Sequence, residues 1–291
     1  MQPTPKAQFT DLEWDVIRKQ AAWQMSTESE IYMPVSGQDF FIRTDNNKVL
    51  SQTSKGDSFQ FTSISEMKKV IEMISALDGF EFKGWNVFKE GAKVFAYFKT
   101  DRNLLAGWKA DNYLVLSNGF DGSTSLHFKT VNYIYRCENM FGTGINNAIV
   151  KNTKNHAIKR DDLIKEIEIY LNKTNKLYND MQEATTIELP RKQLLELASN
   201  IIFDNKELSD NKRTLDKLTR LTESMNHELD VLGNNLFGMF NGITHFTTHN
   251  MNAETSNRKI NNVFGNIEGI SSKINTRAVQ FVQQQVELQT A

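Results

Sequence analysis

The spacing of apolar residues changes once along the chain, and this change limits the folds that the chain can adopt. Between residues 80 and 136 apolar and polar residues alternate with a period of two, as in half-buried strands. From residue 161 onward the apolar residues recur at the spacing of amphipathic helices. The pattern therefore predicts an α+β fold, in which helices cover an antiparallel sheet and the carboxyl-terminal half is largely helical. Strands are expected at residues 80–88, 92–99, 113–117, 125–130 and 131–136, and helices at residues 161–181, 191–203, 210–232 and 271–286, with a weaker helical pattern at 234–250.

The residues before this sheet carry three further predictions. Apolar residues at helical spacing favour a helix over residues 12–25, and residues 33–50 resemble short strands around the turn Asp45-Asn46-Asn47. A helix is also expected over residues 63–77, because Ser63 and Glu66 have the spacing of a capping box and one apolar stripe follows them.

The composition shifts near residue 140, where strands are expected to give way to helices. This divides the chain into a mixed α/β sheet region, residues 1–140, and a helical region, residues 141–291. The core-facing strand residues need a cover, and the helices of the second region supply apolar stripes. We therefore expect one compact fold rather than two independent domains.

Charge and cysteine content exclude several classes of protein. The chain of 291 residues has a formal net charge of −1, so no overall positive field attracts it to nucleic acid or to a membrane. Its single cysteine, Cys137, excludes a disulfide framework and any multi-cysteine metal site. The sequence shows no apolar signal segment and no run of about 18 apolar residues typical of a membrane helix. We expect a soluble protein of a reducing cytoplasm, with Cys137 as a buried structural thiol.

Catalytic templates are mostly absent. Gly142-Thr143-Gly144 lacks the third glycine of a dinucleotide fingerprint. His245 and His249 would share one face of a helix, as zinc-binding histidines do, but two ligands are too few and no third follows at a fixed spacing. Glu81-Phe82-Lys83 matches half of a metal-dependent nuclease motif, with Asp57 as the convenient companion. The sequence thus predicts no catalytic residue, no metal site and no cofactor.

Residues 83–109 combine positive charge with aromatic rings. Six basic residues stand against two acids, a local charge of +4, and six aromatic residues lie among them. A three-residue loop at 89–91 would pair Trp85 with Phe95 and leave one face of the hairpin dry. The core face would then carry Phe82, Phe88, Val94 and Phe98. The opposite face would carry Lys83, Trp85, Lys93, Phe95, Tyr97 and Lys99.

A face on which aromatic rings alternate with cations suits single-stranded nucleic acid, because unpaired bases stack on rings while lysines follow the phosphates. The alternative interpretation is that the rings are half-buried sheet residues with lysines at the rim. A second basic cluster follows the last strand and could grip phosphates as a loop. The predicted nucleic-acid-binding residues of both clusters are Lys83, Trp85, Lys93, Phe95, Tyr97, Lys99, Arg102, Arg136, Lys151, Lys154, His156, Lys159 and Arg160.

Several short motifs occur in a fixed order. The first is Phe41-Ile-Arg-Thr-Asp45, and the last are Asn241-Gly-Ile-Thr-His-Phe-Thr-Thr-His249 and Phe264-Gly265. Between them lie a turn and a strand that carry Asn118, Asp121, Gly122, Ser123, Cys137 and Asn139, followed by His156. This ordered set, over residues 40–280, resembles a large phage- and plasmid-borne family labelled as a domain of unknown function. The resemblance implies a mobile-element protein and supplies no reaction.

The chain departs from that family's pattern at three positions. Asn132 replaces an arginine, Phe120 a histidine and Thr248 an acid. These departures argue against a catalytic role for the three positions in this chain. Asp121-Gly122-Ser123 is expected to be a structural turn, because Asp can cap backbone donors and Gly can take a positive φ.

Functions from different classes fit these observations. The first is a non-catalytic, single-stranded DNA-binding protein acting in replication, recombination by annealing, or transcription, with a phage or host protein as a further partner. The second is a magnesium-dependent nuclease or phosphodiesterase, which requires Asp121, Glu138 or Glu81, and His156 to converge on a metal. The third is a protein-binding scaffold or inhibitor that uses a leucine stripe in residues 215–232, although such a stripe is more often an internal core. The sequence leaves open whether DNA or RNA is the ligand and whether the chain forms oligomers.

Overall fold

The computed structural model of the chain describes residues 12–24, 32–53, 61–100, 104–105, 108–120, 125–134, 139–150, 160–203, 212–251 and 269–290. Antiparallel sheets form the amino-terminal half of the described residues and helices the carboxyl-terminal half, so the predicted α+β class is confirmed. The expected turn at Asp121-Gly122-Ser123 and the thiol of Cys137 lie outside the described residues. The division into residues 1–140 and 141–291 stays a prediction.

A small antiparallel sheet begins the structure. Its strands, in the order β1-β2-β3, are Val16–Gln24, Tyr32–Arg43 and Val49–Thr53. The predicted strands and turn in residues 33–50 are confirmed, but the helix predicted over residues 12–25 is wrong. Leu12, Trp14 and Val16 are buried whereas the residues between them are not, so this stretch follows the period of a strand. Pairing with β2 supplies its hydrogen bonds, and this tertiary pairing outweighs the helical spacing.

The first helix, α1 (Ile64–Ser75), begins as the sequence predicts. The Ser63 hydroxyl accepts a hydrogen bond from the backbone N–H of Glu66 at 3.1 Å, and the Glu66 carboxylate accepts one from the backbone N–H of Ser63 at 2.7 Å. This capping box satisfies two backbone donors that have no partner within the helix. The helix then buries one apolar stripe, formed by Ile64, Met67, Val70, Ile71 and Ile74.

A large antiparallel sheet contains the predicted hairpin. Its strands lie in the order β4-β5-β7-β8-β9, and the short strand β6 pairs with β7. Their bounds are β4 Phe80–Phe88, β5 Lys93–Thr100, β6 Leu104–Leu105, β7 Trp108–Gly119, β8 Leu126–Ile134 and β9 Asn139–Val150. Residues 125–130 and 131–136, predicted as two strands, contribute to the single strand β8, and β9 occupies residues where helices were expected. The pattern misses β9 because Asn and Gly, which recur in it, have low strand propensity, and pairing with β8 supplies its hydrogen bonds.

Both faces of the large sheet carry buried residues. One face shares a core with α1, the small sheet and α2 (Arg160–Glu183). The opposite face carries a smaller buried cluster of Phe95, Tyr97, Val115 and Val131. The sheet is therefore not a platform with one dry face and one open face.

The carboxyl-terminal half is helical. After α2 come α3 (Arg191–Phe203), α4 (Lys212–Leu232), α5 (Leu236–His245), a π-helical turn (Phe246–Asn250) and α6 (Ile270–Thr290). The helices predicted from residue 161 onward are confirmed. Leu221, Met225 and Leu229 are buried in the core that α2 to α6 share, so this part of the leucine stripe packs within the chain, whereas Leu215 is exposed. Among the described helices, none is long and apolar enough to span a membrane.

Candidate metal centre

The aromatic and basic residues of the β4–β5 hairpin do not share one face. Trp85 pairs with Ala96 and not with Phe95, because four residues connect the strands instead of the predicted three, and a bulge in β4 shifts the register again. Trp85 therefore contributes to the core that α1 covers, whereas Phe95 and Tyr97 belong to the cluster on the opposite face. The predicted division of the hairpin into a basic-aromatic face and a core face is wrong.

The rings that were expected to stack on bases are buried. Trp85 is 3% exposed, Phe95 0% and Tyr97 8%. Phe95 packs edge-on against Phe88 with 5.1 Å between ring centroids, and the Tyr97 hydroxyl accepts a hydrogen bond from the Asn86 amide at 3.3 Å. In this arrangement none of the three predicted rings offers a free face to a base.

The lysines of the same hairpin are paired or buried. Nζ of Lys99 lies 2.8 Å from Oδ1 of Asp111, Lys83 forms an ion pair with Glu81, and Lys93 is 7% exposed. The carboxylates next to Lys83 and Lys99 offset the charge that would attract phosphates. The two charged residues of the E-x-K pattern, Glu81 and Lys83, thus form an ion pair within one strand.

Most of the other sequence-predicted site residues lie outside the described residues. The second basic cluster and most of the nuclease ligands fall in segments outside the described residues, and only the backbone of Arg160 is described, at the start of α2. The residues outside the described part are Asp57, Arg102, Asp121, Arg136, Glu138, Lys151, Lys154, His156 and Lys159.

Two glycines of α5 let this helix lie directly against α4. A Cβ added at Gly242 would lie 2.4 Å from Sδ and 3.0 Å from Cα of Met225, and one added at Gly238 would lie 2.5 Å from the carbonyl oxygen of Gly233. Contacts this short would force the helices apart. The glycines, which weaken the helical pattern in the sequence, therefore allow the close packing that brings the polar residues of α4 and α5 together.

A cluster of two histidines and a glutamate lies where α4 and α5 meet. This histidine–glutamate cluster consists of His227, Glu228 and His245, whose donor atoms all lie within 4.8 Å of one another. The rings of His227 and His245 are 5.0 Å apart between centroids, and the ring of His249 is 4.7 Å from that of His245. Glu228 is buried, His245 is half-buried and His227 is exposed, so the cluster reaches from the core to solvent.

Buried polar groups hold Glu228 in place. Its Oε1 accepts a hydrogen bond from the Asn139 amide at 3.3 Å, and the same amide donates to the backbone carbonyl of Asn241 at 3.3 Å. Burying a carboxylate is costly unless hydrogen bonds or a cation compensate it. Asn139 ends one of the motifs that carry the family resemblance and Asn241 begins another. The two motifs therefore meet at the Asn139 amide, which also contacts Glu228.

The π-helical turn after α5 is tied to both neighbouring helices. The Thr247 hydroxyl donates to the Asn275 side chain of α6 at 3.0 Å, and the Asn250 amide donates to the Ser224 hydroxyl of α4 at 2.8 Å. π-helical turns are rare and occur frequently at functional sites. In this chain the turn carries His249 next to His245.

The environment of His245 keeps its ring uncharged. Burial, and then the neighbouring imidazoles of His249 and His227, lower the pKa of His245 from 6.5 to about 4. At neutral pH the ring therefore retains the lone pair that a metal ligand needs. Its Nδ1 atom is buried and has no hydrogen-bond partner among the described residues.

The lowered pKa of His245 predicts a pH dependence of the metal-free protein. The unfolded chain binds a proton on this ring below about pH 6.5, whereas the folded chain binds it only below about pH 4, so the free energy of unfolding falls as the pH is lowered through this window. Denaturant titrations in EDTA between about pH 7 and pH 4.5 should show the loss. The loss should be smaller in His245→Gln, because glutamine does not titrate. The same pH dependence in both proteins would contradict the prediction.

The donor set fits a transition metal better than magnesium. Two imidazoles and one carboxylate, with a further position open to water, are the ligands of many catalytic zinc sites, and imidazole also suits iron, nickel and copper. Magnesium instead prefers oxygen ligands. An uncharged His245 is in the form that coordination requires, and the hydrogen bond from Asn139 orients the Glu228 side chain. The cluster therefore fits a metal ion.

The sequence points to only part of this cluster. The spacing of His245 and His249 is visible in it, but His227 and Glu228 give no separate signal, because such residues are common on the polar face of a helix. The expectation of no metal site depended on the lack of a third ligand. The missing ligands come from α4, which the fold brings against α5.

The fold and the cluster define an α+β protein with a candidate transition-metal site between two helices of its carboxyl-terminal half. The chain belongs to the family described as a domain of unknown function, DUF932, whose family model matches residues 52–291. Comparisons with curated proteins and with solved structures give no match. The family match includes α1, the large sheet and both helices of the histidine–glutamate cluster.

Proposed function

We propose that the protein is a metal-dependent phosphodiesterase that acts on single-stranded nucleic acid. The observation that supports the proposal is the convergence of His227, Glu228 and His245, with donor atoms within 4.8 Å of one another. A magnesium-dependent nuclease or phosphodiesterase is the alternative to non-catalytic DNA binding that the sequence leaves open. The enzyme proposed here uses different ligands, and its site would hold zinc or another transition metal in place of magnesium.

The chemistry is metal-assisted hydrolysis. A bound metal ion would polarise the phosphate and lower the pKa of a water molecule. His227, Glu228 and His245 would hold the ion, and Asn139 would orient Glu228 through its 3.3 Å hydrogen bond. The water oxygen would bond to phosphorus as the P–O bond to the leaving nucleotide breaks. His249, whose ring lies 4.7 Å from that of His245, is the base that we assign to take the proton from the water, and it would pass this proton to the leaving oxygen.

Non-catalytic binding of single-stranded DNA by the sheet has less support. Trp85, Phe95 and Tyr97 would have to leave their packing before a base could stack on them. We retain single-stranded nucleic acid as the substrate class because Arg213 and Arg220 lie on the helix that carries His227 and Glu228.

We further propose that the enzyme serves a phage or a plasmid in the cytoplasm of a bacterial host, in replication, recombination or transcription. The support is the ordered set of motifs over residues 40–280, which resembles that of mobile-element proteins. A phage or host replication or transcription protein is the partner that such a role implies.

Cleavage of circular single-stranded DNA tests the proposed reaction. After treatment with EDTA the full chain should leave the circles intact, and addition of Zn²⁺, Mn²⁺ or Co²⁺ should produce linear and shorter strands. Glu228→Gln, which keeps the size of the side chain and its carbonyl acceptor, should lose this activity because it removes the charged ligand. His127→Gln changes a histidine of the large sheet and is the matched control, with full activity expected. Cleavage in EDTA, cleavage by Glu228→Gln at the wild-type rate, or no cleavage with any of the metals would contradict the proposal.

A further inference from the structure

Three basic residues of α4 and one of α6 lie near one another beside α3. Arg213, Lys217 and Arg220 follow one another at the spacing of one helical face of α4. Burial, and then the positive charges of Arg213, Arg220 and Arg277 of α6, lower the pKa of Lys217, so each of the three arginines lies near enough to Lys217 to disfavour its charge. No carboxylate of the described residues forms an ion pair with Arg213, Lys217 or Arg220. We call these four residues the cationic subsite.

A pocket of about 280 Å³ adjoins the cationic subsite between α3 and α6. Arg277 belongs to both. Nζ of Lys217 lies 5.0 Å from the centroid of the Phe203 ring, which places a second cation of the subsite against α3. The lining of the pocket combines apolar groups with amides that can donate and accept hydrogen bonds: Leu197, Phe281, Asn200, Gln280 and Gln284.

The cationic subsite and the histidine–glutamate cluster lie on the same side of α4. Arg220 and His227 are seven residues apart, which is about two turns and about 10 Å along the helix axis. Ser224, which lies between them on this face, is buried, and its hydroxyl accepts a hydrogen bond from the Asn250 amide of the π-helical turn. A strand bound at the cationic subsite would therefore end about two helical turns from the cluster.

We infer that the cationic subsite binds the phosphates of single-stranded nucleic acid and that the adjoining pocket accepts one unpaired base. Cations neutralise phosphates along the strand, while amides read the edge of a base and a ring stacks on its face. A duplex would have to unpair and unstack a base before it could fill the pocket. An acidic peptide would satisfy the cations but leave the amides and the Phe281 ring without a base to bind. The inference deepens the proposed function and depends on it only for the reaction at the cluster.

Binding of a labelled single strand of about 20 nucleotides, in EDTA and over a series of salt concentrations, tests the phosphate contacts. With four phosphates neutralised, the log–log slope should be about −2.8, so affinity should fall about fifty-fold between 50 and 200 mM salt. The triple variant Arg213→Gln, Lys217→Gln, Arg220→Gln should bind with a slope near −0.7 and lose only about threefold over the same range. A control that removes the same charge from three exposed lysines of α2 and α3 (Lys165→Gln, Lys173→Gln, Lys192→Gln) should keep the wild-type slope.

A further variant separates the pocket from the charges and binding from folding. Phe281→Leu keeps an apolar side chain but removes the ring, and it should weaken binding about fivefold or more without changing the slope. Unchanged circular dichroism shows that each variant is folded.

Each outcome supports or overturns the inference. Wild-type affinity and slope in the triple variant, or no binding by the wild-type chain, overturns it. Unchanged binding by Phe281→Leu overturns the assignment of the base pocket. Duplex DNA that competes for the protein as well as single-stranded DNA does also overturns it. Because binding is measured in EDTA, these failures leave the metal site untouched. Conversely, an inactive cluster with normal strand binding would refute the proposed reaction and support the subsite.

Discussion

Replacement of His245 by alanine is expected to lower the affinity of the protein for Zn²⁺ by at least ~100-fold and to abolish metal-dependent cleavage. Loss of an outer partner of a metal ligand already costs about 10–100-fold in affinity, and His245 is itself one of the three proposed ligands. A competition titration against a chromophoric chelator measures the affinity, and the circular single-stranded substrate measures the activity.

The control for this variant is His127→Ala, which removes a histidine whose Nδ1 is hydrogen-bonded at 2.6 Å to the backbone oxygen of Ser125 in the sheet region. It should bind Zn²⁺ as the wild type does. If His245→Ala binds Zn²⁺ within about twofold of the wild type, the histidine–glutamate cluster is not the metal site.

Trp85→Ala is expected to lower the free energy of unfolding by ~3–5 kcal/mol, because it removes a large ring from a packed core. Trp85 is 3% exposed and contacts Phe82 edge-on, with 6.1 Å between the ring centroids. Denaturant unfolding measures the loss. Leu288→Ala, at an exposed position of α6, is the control, with an expected change within about 0.5 kcal/mol.

The same variant separates the two roles that Trp85 could have. A ring that stacks on bases would cost ~1–3 kcal/mol of DNA-binding free energy when removed, with little effect on stability. Removal of a core ring would lower the free energy of unfolding and leave DNA binding intact at temperatures where the variant is folded. A stable Trp85→Ala protein with weakened binding would restore the sheet as the nucleic-acid interface.

Local sequence signals predict the parts of the fold that local interactions determine. The capping box at Ser63 and Glu66 marks the start of α1 correctly, because both hydrogen bonds join residues three apart. The predictions for the residues of β1 and β9 are wrong for the opposite reason, because the hydrogen bonds of these strands come from other strands that the local pattern does not specify. The segment around Trp14 illustrates this, because its apolar residues fit helical spacing in sequence but alternate in burial once β2 pairs beside it.

The candidate sites likewise depend on contacts between elements that the local sequence pattern does not specify. One additional residue in the β4–β5 connection moves Trp85 to the opposite face from Phe95, because a shift of one residue exchanges the faces of a strand. The spacing of His245 and His249 is readable in the sequence, but Glu228 becomes a neighbour of His245 only because the glycines of α5 let this helix pack on α4. A site that two elements build together therefore cannot be completed from either pattern alone.

Two of the departures from the family pattern have structural explanations. The Asn132 side chain accepts a hydrogen bond from the Tyr178 hydroxyl of α2 at 3.2 Å, which links β8 to the helical half. Phe120 is fully buried and packs edge-on against Phe61, with 5.6 Å between the ring centroids. Both residues contribute to packing in this chain.

Anomalous diffraction from crystals of the zinc-loaded full chain tests the metal site most directly. We predict one strong zinc peak between α4 and α5, with a nitrogen of His227 and of His245 at ~2.0–2.1 Å and an oxygen of Glu228 at ~2.0–2.2 Å. Zinc bound at other residues, or no ordered zinc near these three side chains in loaded crystals, would contradict the assignment of the histidine–glutamate cluster as a metal centre.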